Sequence, residues 1–346
     1  MHITVAIPVY NRANLVKRTI ESVIHQTHND YDLLIVDDAS TDDTISVISG
    51  LALLYPQIHI EKNIKNLGLT RNWNRCLTLA DGPLIQILLS DDLLDPDYLG
   101  LVSDIFTNYE SVGMVACSCR YIDANDNMIH PGNPKIPRLY KRGDEAVSAL
   151  LVEGFPHVSS IVVRKKCYEE LGLFNEKIWH GPDVEMDTRI ASKYDFYHFG
   201  SIHTSFRRHG SNMGNLEYMR DDFLDVDALK KRMAWGHLSP RGQSLLGIKD
   251  LELFIKKDAA QVSLTGVNVM LAIGKFHKAR YYFGNAIKND WEIIFLLKYW
   301  KSLFLILIPP LGKRIMQHRM GIKQEDANSI KLVQQSLNQL PNNNEL

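Results

Sequence analysis

The chain has 346 residues, 45% of them apolar and 23% charged, and 39 basic against 40 acidic side chains leave a formal net charge of −1. That balance excludes a general nucleic-acid binder, whose phosphate contacts need a basic surplus. The apolar content suffices for one large domain with an appendix, or for two modest ones. Cys76, Cys117, Cys119 and Cys167 lack metal-ligand spacing and read as small buried hydrophobes of a reducing compartment.

Met1–Val9 has neither a basic leader nor a small-residue cleavage site, so it reads as a first strand and the cytoplasm is the expected location. A helical pattern with Leu15, Val16, Ile20, Val23 and Ile24 on one face follows. Then come a strand at Leu33–Val36, a helix near Asp43–Leu54, a strand at Ile58–Ile60, a helix near Leu69–Leu79 and a strand at Leu84–Leu88. This alternation, with near-continuous apolar strands, predicts an α/β fold with a mostly parallel sheet covered on both faces.

Further on, Asp97–Tyr109 reads as a helix and Gly113–Cys119 as a strand. Asp123–Arg142, rich in Pro, Gly and Asn, reads as a mobile loop beside a site. Ile161–Val163 is strand-like, Asp183–Lys193 helical, and Phe196–Phe199 and Ile202–Phe206 are two further strands. Strand signals then stop, which sets the expected domains at 1–214 (catalytic), 215–324 (helical) and 325–346 (a polar, disordered tail). Gly266–Ile287 is spaced like a helix pair turning at Gly274-Lys275 and faintly resembles one tetratricopeptide-type hairpin. Trp291–Pro310 is the most apolar stretch but is short for a membrane span. It reads equally as an interfacial helix with snorkelling lysines or as a buried helix of the C-terminal module.

Ligands of open parallel sheets bind at the carboxyl ends of strands. Here those ends carry Pro8-Val9-Tyr10-Asn11-Arg12, Asp37-Asp38 and Ser90-Asp91-Asp92. No glycine-rich dinucleotide turn and no phosphate-loop lysine accompany them. Carboxylates repel phosphate directly, but they can hold a divalent cation that binds it and accept hydrogen bonds from a base or ribose. Taken one pair at a time they are equally helix caps and turn residues.

The run Val5–Arg12, followed by Leu34-Ile35-Val36-Asp37-Asp38-Ala39-Ser40-Thr41-Asp42, resembles the opening of glycosyltransferase family 2. Asn66-Leu67-Gly68 with Arg71-Asn72, and then Leu89-Ser90-Asp91-Asp92, resemble that family's next motifs, and the resemblance covers about the first 215 residues. It implies a GT-A fold with a C-terminal helical extension, and inverting transfer from a nucleotide-sugar donor to a glycan or lipid-linked acceptor with Mg²⁺ or Mn²⁺. By the same resemblance Pro8 and Tyr10 line the nucleotide pocket, and Asp38 accepts the N3–H of a uracil-like base. Arg71 lies near the diphosphate, Asp91 contacts ribose and Asp92 the metal, the last two being interchangeable. Leu89 stands where the common Asp-x-Asp form has its first acid.

In His180-Gly181-Pro182-Asp183, Pro182 replaces the Glu of the family's Glu-Asp pair, and Asp183 keeps the position of the general base, a role worth about 10²–10⁴ in rate. Glu185 with Arg189 reads as a helix-surface ion pair. Phe206-Arg207-Arg208-His209-Gly210-Ser211-Asn212 resembles the motif that closes the catalytic domain. It offers His209 to the metal or the diphosphate, while Arg207 or Arg208 either neutralises the leaving group or is simply solvated. A sugar-phosphate nucleotidyltransferase and a catalytically degenerate sugar-nucleotide-binding protein are the alternatives.

Overall fold

The computed structural model describes residues 1–209, 219–248, 250–295, 297–307, 310 and 313–316. They fall into two compact units: Met1–Arg207 with Met233–Leu246, and Arg208–Arg232 with the described residues from Gly247 onward.

The first unit is built on one sheet. Its opening half follows the βα alternation: β1 (Ile3–Val9), α1 (Val16–Ile24), β2 (Tyr31–Asp37), α2 (Thr44–Ala52), β3 (Ile58–Lys62), α3 (Leu69–Leu79) and β4 (Leu84–Ile87). After the short β5 (Leu93–Leu94) come α4 (Tyr98–Asn108), β6 (Val112–Ile122), β7 (Met128–His130) and β8 (Arg138–Tyr140). Then follow α5 (Asp144–Glu153), a 3-10 turn at Val158–Ser160, β9 (Ile161–Arg164), α6 (Lys165–Leu171), α7 (Pro182–Ala191) and β10 (Asp195–Arg207).

The strand order is β3-β2-β1-β4-β9-β6-β10-β5, with β7 on β6 and β8 on β10. Strands β3, β2, β1 and β4 are mutually parallel, and β10 runs parallel to β6. Strand β9 is antiparallel to both β4 and β6, so the sheet is mixed. Alternate residues feed two cores. Ile3, Val5, Ile7, Leu33 and Ile35 pack into one, and Ala6, Leu34, Val36, Ile85 and Ile87 into the other. A strand buried on both faces has no polar side to show, which is why these runs read as continuously apolar.

Two expectations change here. The stretch Asp123–Arg142 is not one loop, since β7 and β8 within it pair with β6 and β10. The two strands expected at Phe196–Phe199 and Ile202–Phe206 are the single β10, bulged between His198 and Ile202. Gly200 (φ +80°) makes that bulge, and a Cβ there would sit 2.2 Å from the Lys135 carbonyl oxygen.

The expected boundary at 214 lies outside the described residues, as does the tail 325–346. The units part at Arg207/Arg208, and residues 233–246 return to the first unit. This segment, the end of α8 (Phe223–Gly236) and α9 (Pro240–Leu245), buries Leu238 in the core, and the Ser239 N–H donates to Asp144 Oδ1 at 2.8 Å.

In the second unit the expected helix pair is present as α10 (Leu251–Ala272) and α11 (Phe276–Asn289), with Gly274 at φ +78° between them. Ala260, Leu264, Ala286 and Ile293 form its core. The apolar stretch divides into a 3-10 helix, Trp291–Phe295, and α12 (Leu297–Leu307). Ile293, Leu305 and Ile306 are buried, whereas Trp291, Phe295, Trp300 and Leu307 are exposed. No described helix is long and apolar enough to cross a membrane.

Candidate active site

The chain leaves β1 through Tyr10-Asn11-Arg12 and β2 through Asp38-Ala39-Ser40, and the two loops are bonded to each other. The Asn11 N–H donates to Ser40 Oγ (2.9 Å), the Thr41 N–H to Asn11 Oδ1 (2.8 Å) and the Arg12 N–H to Thr44 Oγ1 (2.8 Å). Asn11 (φ +50°) and Ala39 (φ +60°) both take the left-handed backbone, which turns the loops sharply at the strand ends. Pro8 is buried within β1, and Tyr10 is partly exposed just beyond it.

Asp38 is buried, and its carboxylate is committed to the next motif. Oδ1 accepts the Leu67 N–H (2.8 Å) and Asn63 Nδ2 (2.9 Å), and Oδ2 accepts the Gly68 N–H (2.9 Å). Burial raises its pKa against the lowering effect of these three hydrogen bonds. Gly68 (φ +82°) precedes α3, and from α3 Asn72 Nδ2 donates to the Val36 carbonyl (3.2 Å). The Asn-Leu-Gly and Arg-Asn motif thus fastens β2 to α3.

Helix α3 in turn holds the loop that leads to α7. Thr70 Oγ1 donates to the Ile178 carbonyl (3.0 Å), and Asn74 bonds both the N–H and the carbonyl of Phe174 (2.9 and 3.0 Å). Arg71, expected near the diphosphate, is exposed and pairs with Glu176 of this loop (2.8 Å). Gly181, left-handed at φ +56°, caps α7, and Pro182 occupies the first helical position, where a missing N–H does no harm. Asp183 follows, half-buried, in the first turn, where the helix dipole favours a negative charge.

Glu185 is not on the surface as expected. It is buried and bonds Arg189 (3.0 Å), whose guanidinium also donates to the Leu171 and Leu173 carbonyls (2.6 and 2.8 Å). Asp187 is also buried, and desolvation, reinforced by Asp183 and Glu185, pushes its pKa well above the usual carboxylate range.

The acidic pair after β4 is asymmetric. Asp92 is fully buried: Oδ1 accepts the Arg207 N–H (2.9 Å) and Oδ2 the Ser159 hydroxyl (2.5 Å). Burial, with Asp91 adding to it, raises its pKa well above the ordinary value despite those bonds. Asp91 retains slight exposure, and its Oδ2 lies 3.7 Å from Arg12 Nε. Arg207 is neither solvated nor turned outward. Its side chain is fully buried, with Nε on the Asp91 carbonyl (2.7 Å) and Nη1 on the Asp123 carbonyl (2.9 Å). His209 is buried and belongs to the second unit, two residues beyond the end of β10.

His157 escapes sequence reasoning. It sits on irregular backbone before β9, its Nδ1 3.5 Å from Asp92 Oδ2 and its ring 4.3 Å from that of Phe206. Burial lowers its pKa to about 4 although Asp91 opposes this, so the ring is neutral at physiological pH. A lone histidine outside any periodic segment carried no signal. Arg12 and Asp91 were each visible within a motif, but their pairing was not.

Among the described residues no three His, Cys, Asp or Glu side chains gather into a closed metal cage. The slightly exposed Asp91, backed by Asp92, fits the open kind of Mg²⁺ or Mn²⁺ site, in which one or two carboxylates share the ion with substrate phosphates.

A tyrosine turn after β1, acid-bearing ends on β2 and β4 and an acid opening α7 are arranged on an α/β sheet of the GT-A fold. Two solved structures share that fold. S. aureus TarS (residues 1–349) has a TM-score of 0.54 at 14% identity, covering 84% of this chain and 89% of that one. The mannosyltransferase PcManGT from Pyrobaculum calidifontis, in complex with GDP-Man and Mn²⁺, has a TM-score of 0.55 at 17% identity, covering 90% and 86%. Residues 4–172, just under half of the chain, match the model of the family described as Glycosyl transferase family 2. Among its relatives, chondroitin synthase from Escherichia coli is 30% identical over 210 residues, which is 61% of this chain and 29% of that protein. Hyaluronan synthase from Pasteurella multocida is 25% identical over 282 residues, 74% of this chain and 28% of the other. The chain therefore spans under a third of the length of these relatives.

Proposed function

We propose that this glycosyltransferase moves a sugar, with inversion, from a nucleoside-diphosphate donor to a hydroxyl of a glycan or lipid-linked acceptor in the synthesis of a cell-surface polysaccharide. The observation that carries the reading is the junction of β1 and β4, where Arg12 and Asp91 face each other beside the Tyr10 turn. The relatives that make chondroitin and hyaluronan support a polysaccharide product. TarS solved with UDP and UDP-GlcNAc supports a uridine donor, and PcManGT solved with GDP-Man leaves guanosine as the rival base.

Asp183 takes the proton of the acceptor hydroxyl, whose oxygen attacks the anomeric carbon as the nucleoside diphosphate leaves. Asp91, with Asp92 behind it, would hold Mg²⁺ or Mn²⁺, and a bound cation would supply charge neutralisation at the departing diphosphate. Arg12 adds a positive group on the same side. Pro8 and Tyr10 line the nucleotide pocket. Asp38, whose carboxylate already accepts from Asn63, Leu67 and Gly68, offers its remaining acceptor position on Oδ2 to the N3–H of a uracil-like base. His209 rests on the family motif alone, and His209→Ala in a cation titration tests it.

The acceptor is carried by lipid at the inner face of a membrane. The exposed Trp291, Phe295, Trp300 and Leu307 support a peripheral contact, since aromatic side chains favour the membrane interface.

The test is calorimetric titration with a panel of nucleotide sugars, with Mn²⁺ or EDTA, followed by transfer assays on the donor that binds. Cation-dependent binding of one donor and a product of inverted anomeric configuration are expected. Retention of configuration removes the single-displacement scheme, and failure of every donor to bind removes the donor site.

A further inference from the structure

Arg207 carries a full charge at zero exposure, which is costly unless that charge is balanced nearby. One of its counter-charges lies outside the donor pocket. Nη1 forms an ion pair with Asp126 Oδ1, in the tight turn between β6 and β7. The other oxygen of the same carboxylate, Oδ2, accepts Arg18 Nη1 (2.8 Å) from α1, and Arg18 Nη2 donates to the Ala124 carbonyl (3.0 Å). Asp126 is thus shared by two arginines from separate elements, and the hydrogen bonds from both overcome burial and hold its pKa below the ordinary value.

The turn is closed by its own hydrogen bonds. Asp123 Oδ1 accepts the N–H groups of Asn125 and Asn127 (2.8 and 2.9 Å), and Asp126 takes the left-handed backbone at φ +70°. On the far side of Arg207, its Nε grips the Asp91 carbonyl and its backbone N–H grips the Asp92 carboxylate. One guanidinium therefore spans from a surface turn to the backbone of the acidic pair.

We propose that Asp126 is a positioning residue for the cation-binding carboxylates and acts through Arg207, an inference that rests on the donor-site reading above. With its charge balanced by Asp126, Arg207 fixes the backbone at Asp91 without competing for the carboxylates. With Asp126 neutral, the charge of Arg207, held against Asp91 and Asp92 by its Nε and its backbone N–H, acts on that pair with less to offset it, and the guanidinium then competes with the cation there.

Asp126→Asn isolates this effect, because Asn keeps the shape and tolerates the left-handed backbone. The experiment is calorimetric titration of UDP, and in parallel GDP, into the full chain and the variant, once with Mn²⁺ and once with EDTA, with a thermal melt of each protein. In the nucleotide bound by the unaltered chain, affinity in Mn²⁺ is expected to fall by about 10- to 100-fold, the usual effect of losing a partner behind a metal ligand. Affinity in EDTA is expected to stay the same. Arg18→Gln, which removes the cation competing for Asp126 and leaves that carboxylate to Arg207, is expected to keep Mn²⁺-arm affinity at or above the parental value; a fall confined to that arm overturns the charge-balance inference, and this variant decides the matter should Asp126→Asn fail to fold. For Asp126→Asn, an equal loss in both arms, or no loss in either, overturns the inference and leaves the donor site standing. An unaltered chain that binds neither nucleotide takes down the donor-site reading and this inference with it.

Discussion

Arg12 Nε stands 3.7 Å from Asp91 Oδ2, joining the loop after β1 to the loop after β4 across two strands that are neighbours in the sheet but nearly eighty residues apart in the chain. Such a cation–anion pair stands at a strand-end crevice, the place where open α/β sheets take their ligands. Asp91→Asn is therefore expected to remove the Mn²⁺ dependence of nucleotide binding and to lower transfer by about 10²–10³. Titration in Mn²⁺ and in EDTA checks it, and an undiminished difference between the two arms counts against Asp91 as the ligand.

Asp92→Asn should behave differently. The buried carboxylate accepts from Ser159 and from the Arg207 N–H; an amide nitrogen facing the Arg207 N–H opposes donor to donor, and one facing Ser159 obliges the hydroxyl to turn and accept. A stability loss of about 1–3 kcal/mol is expected, read in a denaturant titration. A variant as stable as the parent would show that the Asp92 contacts contribute little.

Asp183→Asn is expected to lower transfer by about 10²–10⁴ while leaving donor affinity within a factor of two or so. The two quantities come from rate assays and calorimetry on one preparation. A variant that transfers at the parental rate moves the base elsewhere, with His157 and Asp187 next to be tested.

Stability should fall as the solution is acidified. His198 is buried beside β8, and its pKa is lowered from 6.5 to about 4, chiefly by burial, with Lys135 adding and Glu153 opposing. The unfolded imidazole takes up its proton first, so the stabilisation present at pH 7 is lost as pH drops from about 6.5 towards 4, by about 2 kcal/mol at pH 5. His198→Asn can still accept the Gly200 N–H that Nδ1 accepts at 3.1 Å. The melting temperature of that variant should fall less between pH 7 and pH 5 than that of the parent, and equal slopes would assign the acid sensitivity to other groups.

Glu185→Ala leaves the guanidinium of Arg189 beside an empty site, although its bonds to Leu171 and Leu173 remain. Removing one partner of a buried ion pair costs about 3–5 kcal/mol. The loss should appear in a denaturant titration and should be larger than for Glu176→Ala, whose exposed pair with Arg71 contributes little.

The sequence by itself determined the opening half of the sheet. Strands β1, β2 and β4 are buried on both faces and declare themselves as unbroken apolar runs, with helix periodicity between them. It also determined which strand ends carry acids, because ligand sites of parallel sheets lie where each strand stops. The roles within those acid groups were decided by packing. Asp37, Asp38, Asp91 and Asp92 look alike on paper. Three backbone and side-chain donors converge on Asp38, and Ser159 and Arg207 arrive at Asp92 from sixty-seven and one hundred and fifteen residues away. Arg207 is the clearest case. An arginine ending a strand reads as solvated, and only the turn at Asp123–Asn127 and the side chain of Asp126 make it a buried strut. The return of residues 233–246 to the first unit was equally illegible, since a helix pattern tells which face is apolar and says nothing of which core will cover it.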